Sequence, residues 1–264
     1  MNNYFKTFFL FFINTIFFNN SSLATFSIIA LDLKTNESGS ALGTCYSKEF
    51  KMYSSKLKIN LADYVVFENN GFGIMNIQSD INDLTPIWLA TAKGILAQDE
   101  PFYSATIIRN FLTHPNQDYR YKDRQMLILK KDKYFNVTGD IYHGENVTNF
   151  KTGRIRFHIN DRFSIATAGN YMTNTEAPEI MEKAFIAAEG NLSDKLVAAL
   201  NSIGITNDSG DSRCRTTEGV SANFAFLRTF HHGKLKLDLN VITDEEEQEA
   251  TFLLKEKYEF LQDE

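Results

Sequence analysis

The sequence lacks an apolar run long enough to span a membrane. Its longest such stretch, residues 7–18, is interrupted by Asn14 and Thr15, whereas a membrane-spanning helix needs roughly 20 residues. The chain also lacks an excess of basic residues, because 27 Lys and Arg stand against 33 Asp and Glu, for a net charge of −6. Nucleic-acid-binding proteins carry clustered positive charge. A role in binding nucleic acid is therefore not expected.

Metal-binding patterns are missing as well. The two cysteines, Cys45 and Cys214, match no zinc motif, and the five histidines lie at no ligand spacing from acids or cysteines. No metal or other cofactor is expected. A disulfide between the cysteines is permitted if the chain leaves the cytoplasm, and two buried free thiols are the alternative. Neither an internal repeat nor a low-complexity linker divides the chain, so we expect a single domain over residues 25–264.

The first 24 residues are organised like a removable export signal. Lys6 is their one charged residue, an apolar run follows, and a short polar region ends with small residues at −3 (Ser22) and −1 (Ala24). The sequence therefore predicts a signal peptide over residues 1–24 and export to the periplasm or the extracellular space, without membrane attachment after cleavage. An uncleaved membrane anchor is the alternative interpretation.

Cleavage after Ala24 would make Thr25 the mature N-terminus. An α-amine has a reference pKa of about 7.7–8.0, so part of it is neutral near pH 7 and can accept the proton of the Thr25 hydroxyl. One residue would then provide both the nucleophile and its general base. The alternative is an ordinary strand threonine that follows a cleavage at another position.

Segments rich in β-forming residues, some of them alternating and several bounded by turn residues, predict strands over residues 26–33, 41–46, 64–67, 71–78, 124–129, 134–138, 154–159, 162–168, 222–229 and 235–242. Helical periodicity predicts helices over residues 86–96, 103–112, 178–189, 193–203 and 244–261. Hairpin-built strands with helices in pairs predict an α+β fold with layers of helix, sheet, sheet and helix.

Several short motifs follow one another along the chain in a characteristic order: Thr25-Phe26-Ser27-Ile28-x-Ala30-x-Asp32, Arg124-Gln125, Thr138-Gly139, Ala168-Gly169-Asn170-x-Met172, Met181-x-x-Ala184-Phe185, Gly210-Asp211-x-Arg213 and Ser221-Ala222. Together they resemble the DUF1028 family, which is described as similar to the N-terminal-nucleophile (Ntn) hydrolases. The resemblance covers nearly all of residues 25–264. It implies a four-layer αββα sandwich, with the nucleophile at the start of a strand, and an activity on amide bonds.

The sequence departs from the family pattern at a few positions. Ser209 stands where family members usually have a second glycine, Ser79 stands where alanine is usual, and residues 48–63 are longer and richer in lysine. In threonine-type Ntn hydrolases such as the proteasome subunits, a lysine lowers the pKa of the nucleophile. No motif selects among the four lysines of this stretch, Lys48, Lys51, Lys56 and Lys58. The departures concern the substrate pocket more than the fold.

Candidate catalytic residues are Thr25, as the nucleophile, and Asn170. Acyl transfer needs hydrogen-bond donors for the developing oxyanion, and Asn170 follows Gly169 at a predicted strand end. A turn asparagine with positive φ is the alternative for Asn170. These residues predict an exported Ntn-type amidohydrolase acting on a small amide or peptide. A non-catalytic secreted protein, for binding or surface assembly, remains the alternative.

Candidate substrate-binding residues are Asp211, Arg213, Asp32 and Gly169. Arg213 could pair with a substrate carboxylate, or form with Asp211 an internal ion pair that shapes the loop. Asp32 closes the first strand, where it would orient the site or start the following turn. The expected partner is a small-molecule or peptide substrate, and assembly with further copies of the chain stays open.

Overall fold

The computed structural model describes residues 25–46, 60, 62–69, 71–79, 92, 94–96, 104–117, 120–147, 150–206, 208–217, 219–243 and 248–263. Strands run at β1 (Thr25–Asp32), β2 (Glu37–Thr44), β3 (Val66–Asn69), β4 (Gly73–Gln78), β5 (Gln125–Lys131), β6 (Val137–His143), β7 (Thr152–Ile159), β8 (Phe163–Asn170), β9 (Phe224–His231) and β10 (Lys234–Ile242). Helices run at α1 (Ala62–Val65), α2 (Ala105–Leu112), α3 (Ala177–Ala187), α4 (Leu192–Ile205), α5 (Ser212–Thr217) and α6 (Ala250–Gln262). Residues 92 and 94–96 are also helical.

The strands form two antiparallel sheets. The larger has the order β10-β9-β2-β1-β8-β7 and the smaller the order β3-β4-β5-β6. Strand β1 lies in the interior of the larger sheet, where Thr25 is opposite Thr44 of β2 on one side and Asn170 of β8 on the other. The first strand of the described chain is thus surrounded by strands that come later in the sequence.

Three apolar clusters hold the elements together. The first joins one face of the larger sheet to α3, α4 and α6 and includes Phe26, Ile28, Ala30, Met181, Phe185, Leu196 and Leu254. The second lies between the two sheets and includes Ile29, Leu31, Leu42, Ile74, Leu127 and Leu129. The third joins the smaller sheet to α2 and to helical residues 92 and 96, with Met75, Ile77, Met126 and Ile108 among its members. Each sheet therefore packs on both faces.

The alternation of side chains along β1 determines which residues face the helices and which face the smaller sheet. Successive strand side chains point to opposite faces, so Phe26, Ile28 and Ala30 contact the helices, while Ile29 and Leu31 contact the second sheet. Thr25 and Ser27 share the parity of Ile29 and therefore also lie between the sheets. The odd-numbered face of β1 is apolar in its second half and polar at its start.

Several element boundaries differ from the sequence-based predictions. Strand β2 begins at Glu37 rather than at residue 41, and β8 continues through Asn170, because Asn170 still pairs with Thr25. The N-cap of α4 is Asn191, whose side chain accepts from the backbone N–H of Ser193 and Asp194, rather than Ser193 itself. A short helix, α5, forms in a segment for which the sequence predicts neither a helix nor a strand.

Other predictions fall wholly or partly outside the described residues. These are the helix over residues 86–96, the lysine-rich stretch with Lys48, Lys51, Lys56 and Lys58, the signal peptide, and the start of the last helix. The described part of that last helix, α6, begins after Glu249, which caps it. Within the parts of the chain that the structure describes, no helix is long and apolar enough to cross a membrane.

Candidate functional site

Thr25 occupies a buried polar position at the start of the interior strand β1. Its Oγ1 donates a hydrogen bond to Thr44 Oγ1 at 3.3 Å, and Asn170 lies opposite on the other neighbouring strand. Only 2% of Thr25 is exposed, and Thr44 and Asn170 are fully buried. Three polar side chains thus form a row across the larger sheet, in a space from which bulk water is excluded.

A second polar row lies on the smaller sheet. The register aligns Gln78, Gln125 and His143 across β4, β5 and β6. Ser27 Oγ donates to Gln78 Oε1 at 2.7 Å, and Gln78 Nε2 donates to Gln125 Oε1. Asn170 Nδ2 donates to the same Gln125 oxygen at 2.8 Å. Hydrogen bonds therefore connect the row that contains Thr25 to the second sheet.

The nitrogen of the Gln125 carboxamide completes this network. Gln125 Nε2 donates to the Gly169 carbonyl at 3.0 Å and is 2.6 Å from His143 Nδ1. Burial lowers the pKa of His143, and the positive charge of Lys151 lowers it further. Gly169 contributes its backbone carbonyl to this network. A side chain at this position would be crowded, because a Cβ would lie 2.8 Å from Met172 Cγ.

Asn170 has one polar atom that the network does not use. Its Oδ1 is buried and has no hydrogen-bond partner within the described residues. An unsatisfied buried acceptor costs about 1–3 kcal/mol, so this oxygen beside Thr25 has the capacity to accept one further hydrogen bond. The carboxamide group sits where the sequence predicts a catalytic residue. Besides this acceptor, its Nδ2 carries a second hydrogen in addition to the one bonded to Gln125.

Asp211 and Arg213 form an ion pair at the end of β2. The fully buried Asp211 carboxylate accepts from Arg213 Nε at 3.1 Å, from Arg213 Nη2 at 2.8 Å and from the backbone N–H of Cys45 at 2.9 Å. Arg213 Nη2 also donates to the Cys45 carbonyl at 2.9 Å. Burial raises the pKa of Asp211, and the hydrogen bonds from Arg213 and Cys45 oppose that rise. The sequence leaves two alternatives for Arg213, a pair with a substrate carboxylate or an internal ion pair with Asp211. This geometry corresponds to the internal ion pair.

The same segment carries a disulfide between Cys45 and Cys214, with Cα atoms 5.6 Å apart. Of the two alternatives for the cysteines, the disulfide is confirmed. Val220 packs against both cysteines in a small apolar cluster. Disulfides persist mainly in oxidising compartments, so this bond is consistent with export of the chain.

Asp32 lies far from the Thr25 row. It ends β1, seven residues from Thr25, which in an extended strand corresponds to about 23 Å. Its carboxylate pairs with Arg162, whose Nη2 lies 2.7 Å from Oδ2, and accepts from the backbone N–H of Lys34 and Thr35. The structure therefore brings Asn170 and Gly169 to Thr25, places Asp211 and Arg213 near the same sheet end, and leaves Asp32 apart.

Gln78, Gln125 and His143 are not among the site residues predicted from the sequence. Gln125 could have been found, because it belongs to the Arg124-Gln125 motif and directly precedes four apolar residues of a strand. No sequence signal marks His143. Within the described residues, no group of three or more His, Cys, Asp or Glu side chains could hold a metal ion.

Comparison with known proteins identifies a solved structure with the same fold and the family of the chain. The crystal structure of protein SPO2555 from Silicibacter pomeroyi, a DUF1028 protein, superposes with a TM-score of 0.63 at 17% sequence identity. The match covers 90% of this chain and 88% of that one, so the two share a fold. No curated protein matches the sequence. The model of the family of unknown function DUF1028 matches residues 25–249, and the chain therefore belongs to the DUF1028 family.

Proposed function

We propose that the protein is an exported Ntn hydrolase in which Thr25, released by cleavage after Ala24, attacks the amide bond of a small molecule or peptide. The observation that carries this proposal is the position of Thr25: it is the first residue of an interior strand, with its hydroxyl among buried polar groups. The match to the family begins at the same residue.

The layers of the fold support the proposal. The three apolar clusters separate helices, the larger sheet, the smaller sheet and further helices in that order. This order fits a four-layer αββα sandwich, the fold implied by the resemblance to the Ntn hydrolases. In such a fold the nucleophile begins a strand of one sheet and faces the other sheet, and Thr25 has this placement.

The proposed reaction uses the two functional groups of one residue. The neutral α-amine of Thr25 takes the hydroxyl proton as Oγ1 bonds to the substrate carbonyl carbon. The C–N bond then breaks, the leaving amine takes that proton, and an ester remains on Oγ1. Water hydrolyses the ester and restores the hydroxyl. Burial favours the neutral form of an amine. To give its proton to the amine, the Thr25 hydroxyl turns away from Thr44 Oγ1, 3.3 Å away, and can accept from the Thr44 hydroxyl instead.

Asn170 is the second residue of the proposed site. Its Nδ2 carries two hydrogens, of which one is bonded to Gln125, so the other can donate to the oxyanion of the tetrahedral intermediate. Its Oδ1 can accept from the α-amine. Asp211 and Arg213 contribute by holding the end of β2, next to Thr44, in place.

Three variants test the nucleophile. The probe is an alkyl β-lactone, whose ring opens as Oγ1 forms an ester, and intact mass measures the rate of acylation. We expect Thr25→Ala to abolish acylation and Thr25→Ser to retain part of it, because serine keeps both the hydroxyl and the amine. One extra residue before Thr25 should be nearly as damaging as Thr25→Ala, since the amine becomes an amide. Circular dichroism checks that each variant folds.

Full reactivity of the extended protein would contradict an N-terminal nucleophile. The alternative, a non-catalytic secreted binding protein, is favoured by one observation, the 2% exposure of Thr25. Periodate oxidation of the unfolded protein separates the two, because it cleaves the amino alcohol of an N-terminal threonine whether or not the residue is reactive in the fold. A periodate-positive protein that resists the β-lactone would support the binding protein.

A further inference from the structure

The Gln125 carboxamide uses its full hydrogen-bonding capacity. Its oxygen accepts from Gln78 Nε2 and from Asn170 Nδ2. Its nitrogen donates to the Gly169 carbonyl and contacts His143 Nδ1. A carboxamide has two lone pairs on oxygen and two hydrogens on nitrogen, so each is matched by one partner. Gln125 is itself fully buried and connects three strands.

The directions of these bonds are determined by groups that cannot reverse. A backbone carbonyl only accepts, so the Gln125 nitrogen must face Gly169. It follows that His143 Nδ1 accepts the remaining hydrogen and that its ring proton is on Nε2. The lowered pKa of His143 agrees with this neutral form. With its nitrogen so placed, Gln125 presents its oxygen to Asn170.

The orientation of Asn170 follows from that of Gln125. Because Gln125 offers an acceptor, Asn170 must turn its Nδ2 towards it, and its Oδ1 is left on the other side of the carboxamide. This oxygen is fully buried and has no hydrogen-bond partner in the described part of the chain. Thr25 lies directly opposite Asn170 in the ladder, and its α-amine would be a hydrogen-bond donor.

We propose that Gln125 and His143 are positioning residues that hold the Asn170 carboxamide with its oxygen towards the α-amine of Thr25. The inference rests on the proposed function and deepens it. His143 acts at a distance of two hydrogen bonds from Asn170, through Gln125, and does not contact the substrate. Without the His143 acceptor, one Gln125 hydrogen loses its partner, and only the Gly169 carbonyl then holds the nitrogen side of the carboxamide, which weakens its orientation.

The test compares two substitutions of His143 in the processed protein. His143→Asn places an oxygen acceptor close to the position of Nδ1, whereas His143→Leu is similar in size and has no acceptor. We expect His143→Leu to slow β-lactone acylation about 10-fold, because a misplaced group in an active site has effects of at least this size. His143→Asn should restore most of the rate.

Ser40→Ala is the matched control. It removes another buried hydrogen bond between the sheets, from Asn76 Nδ2 to Ser40 Oγ at 2.9 Å, which has no link to Asn170. We expect it to lower stability without slowing acylation. A second readout, hydrogen exchange of the Asn170 side-chain amide by NMR, should be faster in His143→Leu and unchanged in His143→Asn and Ser40→Ala.

An unchanged acylation rate or an unchanged exchange rate in His143→Leu would overturn the inference, and so would equal slowing in Ser40→Ala. A different result would count against the proposed function. If the processed wild-type protein is not acylated at all, Thr25 is not a nucleophile, and the exchange measurement still decides whether His143 holds the Asn170 carboxamide.

Discussion

Removing the Cys45–Cys214 disulfide should cost a large part of the stability of the fold. The bond joins residues 169 positions apart. A cross-link restricts the unfolded chain, and the chain-entropy relation gives about 5 kcal/mol at 25 °C for a loop of this length. The ion pair of Asp211 and Arg213 holds Cys45 from the same segment, so the folded structure should persist without the bond. The loss should therefore arise mainly in the unfolded state.

Urea unfolding of three variants measures this effect. Cys45→Ala, Cys214→Ala and the double variant should each lose about 2–5 kcal/mol, the range found when native disulfides are removed. The three losses should be nearly equal, because either single change already breaks the bond. The dependence of the unfolding free energy on urea should become steeper, since the unfolded chain exposes more surface. Single-variant losses that add up in the double variant would refute the reasoning.

Two further predictions concern stability. Burial acts to raise the pKa of Asp32, but hydrogen bonds from Arg162, Thr35 and Lys34 outweigh it and lower the pKa. Asp32→Asn weakens these hydrogen bonds to a charged group and should cost about 2 kcal/mol at pH 7. This stabilisation exists above the unfolded pKa of about 3.9 and is lost as pH falls through the folded pKa. The difference in unfolding free energy between the wild type and Asp32→Asn should therefore be smaller at pH 3 than at pH 7. An equal difference at the two pH values would contradict this reasoning. Gly144→Ala should cost about 2 kcal/mol, because its Cβ would lie 2.1 Å from the Lys122 carbonyl oxygen. Gly94→Ala, in open space on a helix, should instead raise the free energy of unfolding by about 0.5–1 kcal/mol. A loss of stability in Gly94→Ala would show that the room around the Cβ does not explain the difference between the two glycines.

Local patterns predict much of the fold. Alternation along residues 26–33 locates β1, and the spacing of Met181 and Phe185 identifies the buried face of α3. The short gaps between the predicted strands over residues 26–33 and 41–46, and over residues 222–229 and 235–242, place two hairpins. These features depend on neighbours a few residues apart, so a single sequence contains the information. The cysteines show the limit of this approach, because their pairing depends on the distance between Cα atoms that are remote in sequence.

The candidate site is harder to predict for a physical reason. The sequence over residues 124–129 predicts a strand whose polar residues face solvent, but the larger sheet covers the face that carries Gln125, which is fully buried. The pairing of Thr25 with Asn170 joins two segments that no local pattern connects. Glu182 is a similar case, since it is buried in α3 and accepts from Arg154 and Arg156 of β7. Such positions depend on tertiary contacts.

The interior place of β1 in the larger sheet also has a consequence for the order of folding. Thr25 can pair with Thr44 early, but its other neighbour, Asn170, is synthesised only after roughly two thirds of the chain, and pairings between distant segments form slowly. During synthesis the start of β1 therefore stays unpaired on one edge, and the leader that we propose ahead of Thr25 would be accessible over that period. Removing the leader is simplest before the sheet closes around residue 25. The nascent chain thus provides a time window in which a processing enzyme could reach the bond that the finished sheet would bury.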